Sequence, residues 1–366
     1  MSTLRRDTMR LRNKHNLVLL LLLAFAFVYL GAQGEPQQPP PQQAPPPSNQ
    51  PPPSSQAPPS SQPGETVNPP AGQTQQPQEP ETGEGGVFVF KKQVEEVTLH
   101  ATVVDDKQRL VTGLNRADFT VYEDGRPQQI TSFRREDIPV SLGIVIDNSG
   151  SMRDKRSAVN QAALNLVRAS NPQDLVFVVN FNDEYYLDQD FTNSISQLQE
   201  ALERIEARGG TALYDALVAS ADHLKKNSKL DKKVLLVVTD GEDNASRDSL
   251  EQAVRRLQDE SGPTVYTIGM IWGGERQRRA KRALLALAEQ TGGVAFFPKD
   301  LGEVNSISQA VAHDIRNQYT IGYKPTNPQN RGGYRTVKVE ARARGYGKLQ
   351  VRTRSGYYAG QQRASR

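Results

Sequence analysis

The chain has no cysteine, a single tryptophan and four histidines in 366 residues. Without cysteine there is no disulfide, no thiolate metal centre, no cysteine nucleophile and no lipid-modified N-terminal cysteine. The histidines are His15, His100, His223 and His313, and His15 lies in a basic segment at the start of the chain. Imidazole bases are therefore scarce. No Gly-x-Ser-x-Gly elbow is present either, which disfavours a hydrolase. An excess of one charge is equally lacking. The formal +4 is supplied entirely by Arg5, Arg6, Arg10, Arg12 and Lys14 against Asp7, and from Leu17 onward 40 basic and 40 acidic residues balance. A near-neutral chain of this kind gives no support for nucleic-acid binding.

Long apolar runs are missing too, with one exception. Leu17 to Leu30 reads LVLLLLLAFAFVYL directly after the basic segment. This is the n-region and h-region of an export signal. Ala32-Gln33-Gly34 offers a small-x-small cleavage point. The run is shorter than the roughly 20 residues that span a bilayer comfortably, which favours cleavage over an uncleaved anchor. In both cases the rest of the chain is exported and the basic flank stays cytoplasmic.

Residues 33–86 are dominated by Pro, Gln, Ser and Gly, with glutamate as the only charged type. Such a composition buries too little apolar surface to offset chain entropy, so this stretch reads as a solvated, partly polyproline-II tether. Residues 87–138 read as a small β module. Val97, Leu99, Ala101 and Val103 alternate with polar residues, and Asp124-Gly125 separates Phe119–Tyr122 from Ile130–Phe133 in the manner of a hairpin. Residues 319–358 alternate similarly at Val337, Val339, Ala341 and Ala343 and again at Leu349 and Val351. The basic residues between them suit the solvated face of a sheet. Neither β segment is large enough to stand alone, so the two are expected to pair with each other, leaving 359–366 as a tail.

The stretch 139–318 differs in character. Val140–Ile146, Leu175–Val179, Val234–Val238 and Val265–Gly269 are short apolar runs without strict alternation, as in parallel strands buried on both faces. Helical patterns intervene near 155–169, 212–226, 247–259, 277–291 and 303–317. Strands alternating with helices predict a doubly wound α/β domain with a mostly parallel sheet.

In such a domain ligands bind at the carboxyl ends of the strands. Three polar segments fall there: Asp147-Asn148-Ser149-Gly150-Ser151, Gly209-Gly210-Thr211 and Thr239-Asp240-Gly241-Glu242. Singly, each has an ordinary explanation as a helix cap or a turn. Together they bring two carboxylates and three hydroxyls to one sheet edge, all hard oxygen donors. That set suits Mg²⁺ or Mn²⁺. Glu242 and Asp243 lie close by, but one extra acidic pair falls short of a two-metal hydrolytic centre.

The pattern Asp147-x-Ser149-x-Ser151 followed by Thr211 and Asp240 resembles the metal-ion-dependent adhesion site of von Willebrand factor A-type domains, in the order and on the elements that family uses. Phe119–Gly125 and Gln318–Tyr323 resemble exported bacterial members in which a β module precedes this domain. The resemblance implies a Rossmann-like fold with a flanking β module from the N- and C-terminal segments. It implies coordination rather than catalysis: Asp147, Ser149, Ser151 and either Thr211 or Asp240 would hold Mg²⁺, or Mn²⁺ or Ca²⁺, and a partner protein's carboxylate would complete the shell. The expected role is adhesion or complex assembly outside the cytoplasm, the membrane being touched only through the N-terminal segment. The alternatives are a scaffold with a stabilising metal or, less favoured, a hydrolase.

The export expectation is checked by fractionating the native cells. The folded part should lie beyond the cytoplasmic membrane, and full-length chain recovered in the soluble cytoplasm overturns it.

Overall fold

A computed structural model of the chain describes residues 96–135, 137–203, 207–272, 275–327 and 332–360. The export segment 1–32, the Pro/Gln-rich stretch 33–86 and the first residues expected in the β module lie outside these, as does the tail beyond residue 360. No helix among the described residues is long and apolar enough to cross a membrane.

The strands are β1 (Val97–Val104), β2 (Phe119–Glu123), β3 (Arg126–Gln128), β4 (Ile130–Arg134), β5 (Val140–Asp147), β6 (Leu175–Phe181), β7 (Tyr185–Thr192), β8 (Lys232–Thr239), β9 (Thr264–Gly269), β10 (Ala295–Phe296), β11 (Tyr319–Tyr323), β12 (Tyr334–Ala341), β13 (Gln350–Arg352) and β14 (Gly356–Tyr358). The helices are α1 (Arg156–Arg168), α2 (Ile195–Glu203), α3 (Leu213–Asn227), α4 (Leu250–Leu257), α5 (Glu275–Thr291) and α6 (Glu303–Arg316).

Six strands form the central sheet in the order β10-β9-β8-β5-β6-β7. All pairings are parallel except β6 with the edge strand β7. This is the doubly wound, mostly parallel sheet that the uninterrupted apolar runs predict. Strand β5 shows why those runs do not alternate: all eight of its residues are buried. Leu142, Ile144 and Ile146 face a core closed by Val159 and Leu166 of α1, Leu198 of α2 and Val311 of α6. Val145 faces the opposite core, closed by Leu217 of α3, Leu257 of α4 and Leu284 of α5. Gly143 points the same way, and a Cβ there would lie 2.3 Å from the Phe177 ring, so the glycine makes room for that ring.

Three elements have no counterpart in the sequence reading, one being the two-residue strand β10. Strand β7 exposes Tyr185, Tyr186 and Leu187, so its pattern is that of a solvated edge and not of a buried strand. Helix α2 is only nine residues long and buries just Leu198, Ala201 and Leu202.

The remaining strands form two four-stranded antiparallel sheets, β13-β1-β11-β4 and β14-β12-β2-β3. Both take strands from before and after the central sheet. They enclose a core of their own, built from residues such as Leu99, Val121, Tyr319 and Val339. Asp124 and Gly125 both take positive φ, 48° and 75°, as a two-residue hairpin turn between β2 and β3 requires. Only Arg126–Gln128 returns along β2. The next strand, β4, leaves for the other sheet and pairs with β11, so the hairpin is shorter than the apolar pattern through Phe133 suggests.

Inside this sandwich Glu123 is a buried charge with a full set of partners. Its Oε1 accepts from Arg335 Nη1 at 3.1 Å, and its Oε2 accepts from the hydroxyls of Tyr323 and Tyr357 at 2.6 and 2.8 Å. Burial, joined by the adjacent carboxylate, pushes both tyrosine pKa values well above their usual range, so both hydroxyls stay protonated and donate. Replacing Arg335 by Met strands the carboxylate and should cost about 3–5 kcal/mol in urea unfolding. Pairing that change with Glu123→Gln should recover part of the loss, and an additive double mutant would contradict this coupling.

Candidate metal centre

Strands β5 and β8 run side by side, so Asp147 and Thr239 emerge together at their carboxyl ends. The Asp147 side chain is fully buried. Its Oδ1 accepts the Ser149 backbone N–H at 2.8 Å, and its Oδ2 accepts the Thr239 hydroxyl at 2.5 Å. These neutral donors are its direct hydrogen-bond partners. Burial raises its pKa, the donors from Thr239 and Ser149 oppose that rise, and the nearby Asp240 charge adds to it. A carboxylate in such surroundings is short of positive charge.

From Asp147 the polar atoms run on without a break. Ser149 Oγ and Ser151 Oγ are 3.2 Å apart, and Ser151 Oγ donates to Asp240 Oδ1 at 2.8 Å. Neither serine caps a helix through its side chain. The short 3₁₀ turn at Gly150–Met152 has no side-chain cap bond from Ser149, and α1 begins after Lys155. Thr211 does not cap α3, whose N-cap is Ala212. The Thr211 side chain is nearly buried, and its hydroxyl hydrogen-bonds to none of the described residues. Ser151, Thr211 and Asp240 line one cleft of about 560 Å³, which opens toward Gln277 and Arg279 of α5.

Backbone bonds hold the three segments to one another. Gly150 N–H donates to the Gly209 carbonyl at 3.2 Å, and Arg208 N–H to the Asn148 carbonyl at 2.9 Å. The Thr211 carbonyl accepts from Asn244 and Ala245, while Thr211 N–H donates to Asn244 Oδ1 at 3.0 Å. Asp183 closes the set by accepting Gly210 N–H at 2.8 Å. The structure thus brings all five sequence-predicted positions, Asp147, Ser149, Ser151, Thr211 and Asp240, to one sheet edge.

Four neighbours carry weight that the sequence reading did not give them: Thr239, Asn244, Asp183 and Lys155. Thr239 was legible only as part of the segment around Asp240. The other three have no local signal, because their partners lie on different loops. Asp243, half of the acidic pair near the site, is already engaged, accepting Tyr214 N–H in the first turn of α3 at 3.0 Å and the Ser246 hydroxyl at 2.6 Å. Glu242 pairs with Arg279 at 2.7 Å.

Residues 142–242 match the model of the von Willebrand factor type A domain. The central part of this chain is such a domain. Among curated relatives, the chain is 26% identical over 200 residues to calcium-activated chloride channel regulator 1 of Mus musculus, a match covering 52% of this chain and 20% of that protein. It is 25% identical over 135 residues to an uncharacterized Synechocystis protein, covering 36% of this chain and 32% of that one. The match therefore spans a third or less of these relatives' own length. Among solved structures, the domain of the type V pili tip protein Mfa5 from Porphyromonas gingivalis aligns with TM-score 0.41 at 14% identity, covering 49% of this chain and 97% of that one. Proximal thread matrix protein 1 of the mussel byssus, in a form with a zinc-occupied site, aligns with TM-score 0.42 at 17% identity, covering 54% and 50%.

The donors of this A domain fit a hard divalent cation. They are all oxygens, they include a buried carboxylate with no cationic partner in contact among the described residues, and they include the Thr211 hydroxyl, which lines the cleft. Among the described residues no three His, Cys, Asp or Glu side chains are arranged to hold a metal by themselves, so the set is one of hydroxyls and two carboxylates.

The loop carrying Thr211 turns on Gly209, which sits at φ 76°. A Cβ there would fall 2.1 Å from Asp183 Oδ2. Gly209→Ala should therefore cost roughly 1–2 kcal/mol for the left-handed backbone alone. It should also displace Asp183 from Gly210. Urea unfolding without added metal checks the first effect, and a stability equal to the parent's contradicts it.

Proposed function

We propose that this A domain binds a divalent cation, Mg²⁺ by preference of its donors and with Mn²⁺ or Ca²⁺ as substitutes, and uses it to capture a protein partner outside the cytoplasm. The observation that carries the reading is the convergence of oxygen donors from three mutually bonded loops around a buried carboxylate. Asp147, Ser149 and Ser151 would hold the cation, with Thr211 or Asp240 beside them. When bound, the cation supplies a positive centre with a free coordination position suited to a carboxylate oxygen. The residues contribute position. Asp147 is anchored at the end of β5, Thr239 fixes one of its oxygens, and the backbone bonds between loops keep the hydroxyls close together.

Those same bonds count against a purely stabilising metal, because the loops are tied to one another through the chain itself. Hydrolysis is disfavoured by other contacts, since Asp243 is engaged at the start of α3 and Glu242 by Arg279. Within this reading residues 1–32 export the chain and 33–86 act as a tether. The A domain spans 139–318, and 87–138 with 319–358 form the flanking β module. The partner is a protein presenting an acidic side chain, and nucleic acid has no part.

Calorimetric titration of Mg²⁺ tests the site. Asp147→Ala should abolish binding and capture of the partner. Ser149→Ala or Thr211→Ala should weaken both by less, because each removes a neutral oxygen and not a charge. Circular dichroism should show each variant folded, since burial of side chains such as those of β8 stabilises the sheet by about 1.5–3 kcal/mol apiece. Undiminished Mg²⁺ binding by folded Asp147→Ala overturns the assignment. Chelation that unfolds the parent protein would favour a stabilising metal instead.

A further inference from the structure

One cation is already built into the site. Lys155, at the start of α1, forms an ion pair with Asp240 Oδ2. Its Nζ also donates to the Ser151 carbonyl at 3.0 Å and lies 5.7 Å from the centre of the Trp272 ring. The Trp272 indole N–H is itself fixed on the Pro298 carbonyl at 3.0 Å. The ammonium is therefore confined between a carboxylate, a carbonyl and an aromatic face. Both oxygens of Asp240 are engaged from one turn of chain, Oδ1 by the Ser151 hydroxyl and Oδ2 by Lys155. The Asp240 side chain is 2% exposed and that of Lys155 20%, so water screens the pair weakly.

We propose that Lys155 sets the net charge of the metal centre, lowering its affinity for the cation and raising that of the loaded site for a partner's carboxylate. This rests on the metal-binding reading above. The hydroxyls are neutral, so Asp147 and Asp240 alone would cancel a divalent cation and leave nothing to draw a third carboxylate. Lys155 neutralises Asp240, and the loaded centre then keeps one positive charge. The other nearby charges do not supply it. The Arg156 guanidinium is held by Asn180 Oδ1 and the Leu202 carbonyl, and its charge is shared between Asp188 and Asp147. Arg279 is paired with Glu242.

The test uses the full chain with Mn²⁺ as the cation and acetate as the probe carboxylate. Calorimetry gives the Mn²⁺ affinity, and paramagnetic broadening of the acetate methyl protons reports approach to the loaded site. Lys155→Met should bind Mn²⁺ about tenfold more tightly, because a like charge a few ångströms away has gone. It should broaden acetate less than the parent at equal Mn²⁺ occupancy. Lys155→Arg, which keeps the charge, should behave as the parent in both. If folded Lys155→Met binds Mn²⁺ no more tightly than the parent, or broadens acetate equally, the inference fails while the metal site stands. If Lys155→Arg follows Lys155→Met, the charge account is wrong. If the parent binds no Mn²⁺, the metal-binding reading fails and this inference with it.

Discussion

Strand β5 is packed on both faces along its whole length, between the α1–α2–α6 layer and the α3–α4–α5 layer, and its last residue is an aspartate. Burial on that scale fixes where the strand stops and how its end is oriented. It also sets the electrostatic condition of the site, because Asp147 is buried and held by neutral donors. The neighbouring parallel strands β6 and β8 end at the same edge, and the segments around Asp183, Thr211 and Asp240 are tied together there by hydrogen bonds. The stability of the sheet and the precision of the site come from one source, the apolar surface on either side of five parallel strands.

The two aspartates at that edge have different surroundings, and the difference is the main electrostatic feature of the domain. Asp147 is held by a backbone N–H and a threonine hydroxyl. Asp240 is held by a serine hydroxyl and an ammonium group. The first carboxylate has charge to offer, and the second has been largely neutralised from within the chain. A comparable economy operates far from the site, where the buried charge of Glu123 is met by an arginine and two tyrosines. Buried carboxylates persist in both places because each has several donors, as the cost of an unpaired buried charge requires.

Much of this was legible in the sequence, and the parts that were not share a cause. The runs at 140–146, 175–179, 234–238 and 265–269 announce buried parallel strands because both faces are apolar, and the helical patterns between them locate five of the six helices. Strand β7 escapes that logic because an edge strand with exposed Tyr185, Tyr186 and Leu187 has neither a buried face nor a clean alternation. The five oxygen donors could be collected because each stands at the end of a recognisable strand or the start of a recognisable helix. Lys155 could not. Nothing in its neighbourhood distinguishes it from a solvated lysine on a helix, and its meaning comes from Asp240, 85 residues away. Asp183 and Asn244 are of the same kind, their partners lying on other loops. Local chemistry can be read along a chain, whereas pairings between loops appear only once the sheet has set them side by side.

The interleaving of the sandwich has a mechanical side. Strand β1 lies between β11 and β13, so the chain entering at Glu96 is clamped by segments that follow the A domain. In the β1–β11 ladder Val97 pairs with Tyr323 and Ala101 with Tyr319. The incoming chain leaves at one end of this ladder and α6 joins at the other. Tension between the N-terminal side and the domain therefore slides the two strands along each other and loads their hydrogen bonds together, where a pull at one end would break them one at a time. An object gripped at the metal edge would be held against a tug from residue 96 by a shear joint, and the helical domain would sit outside the stretch of backbone that gives way first.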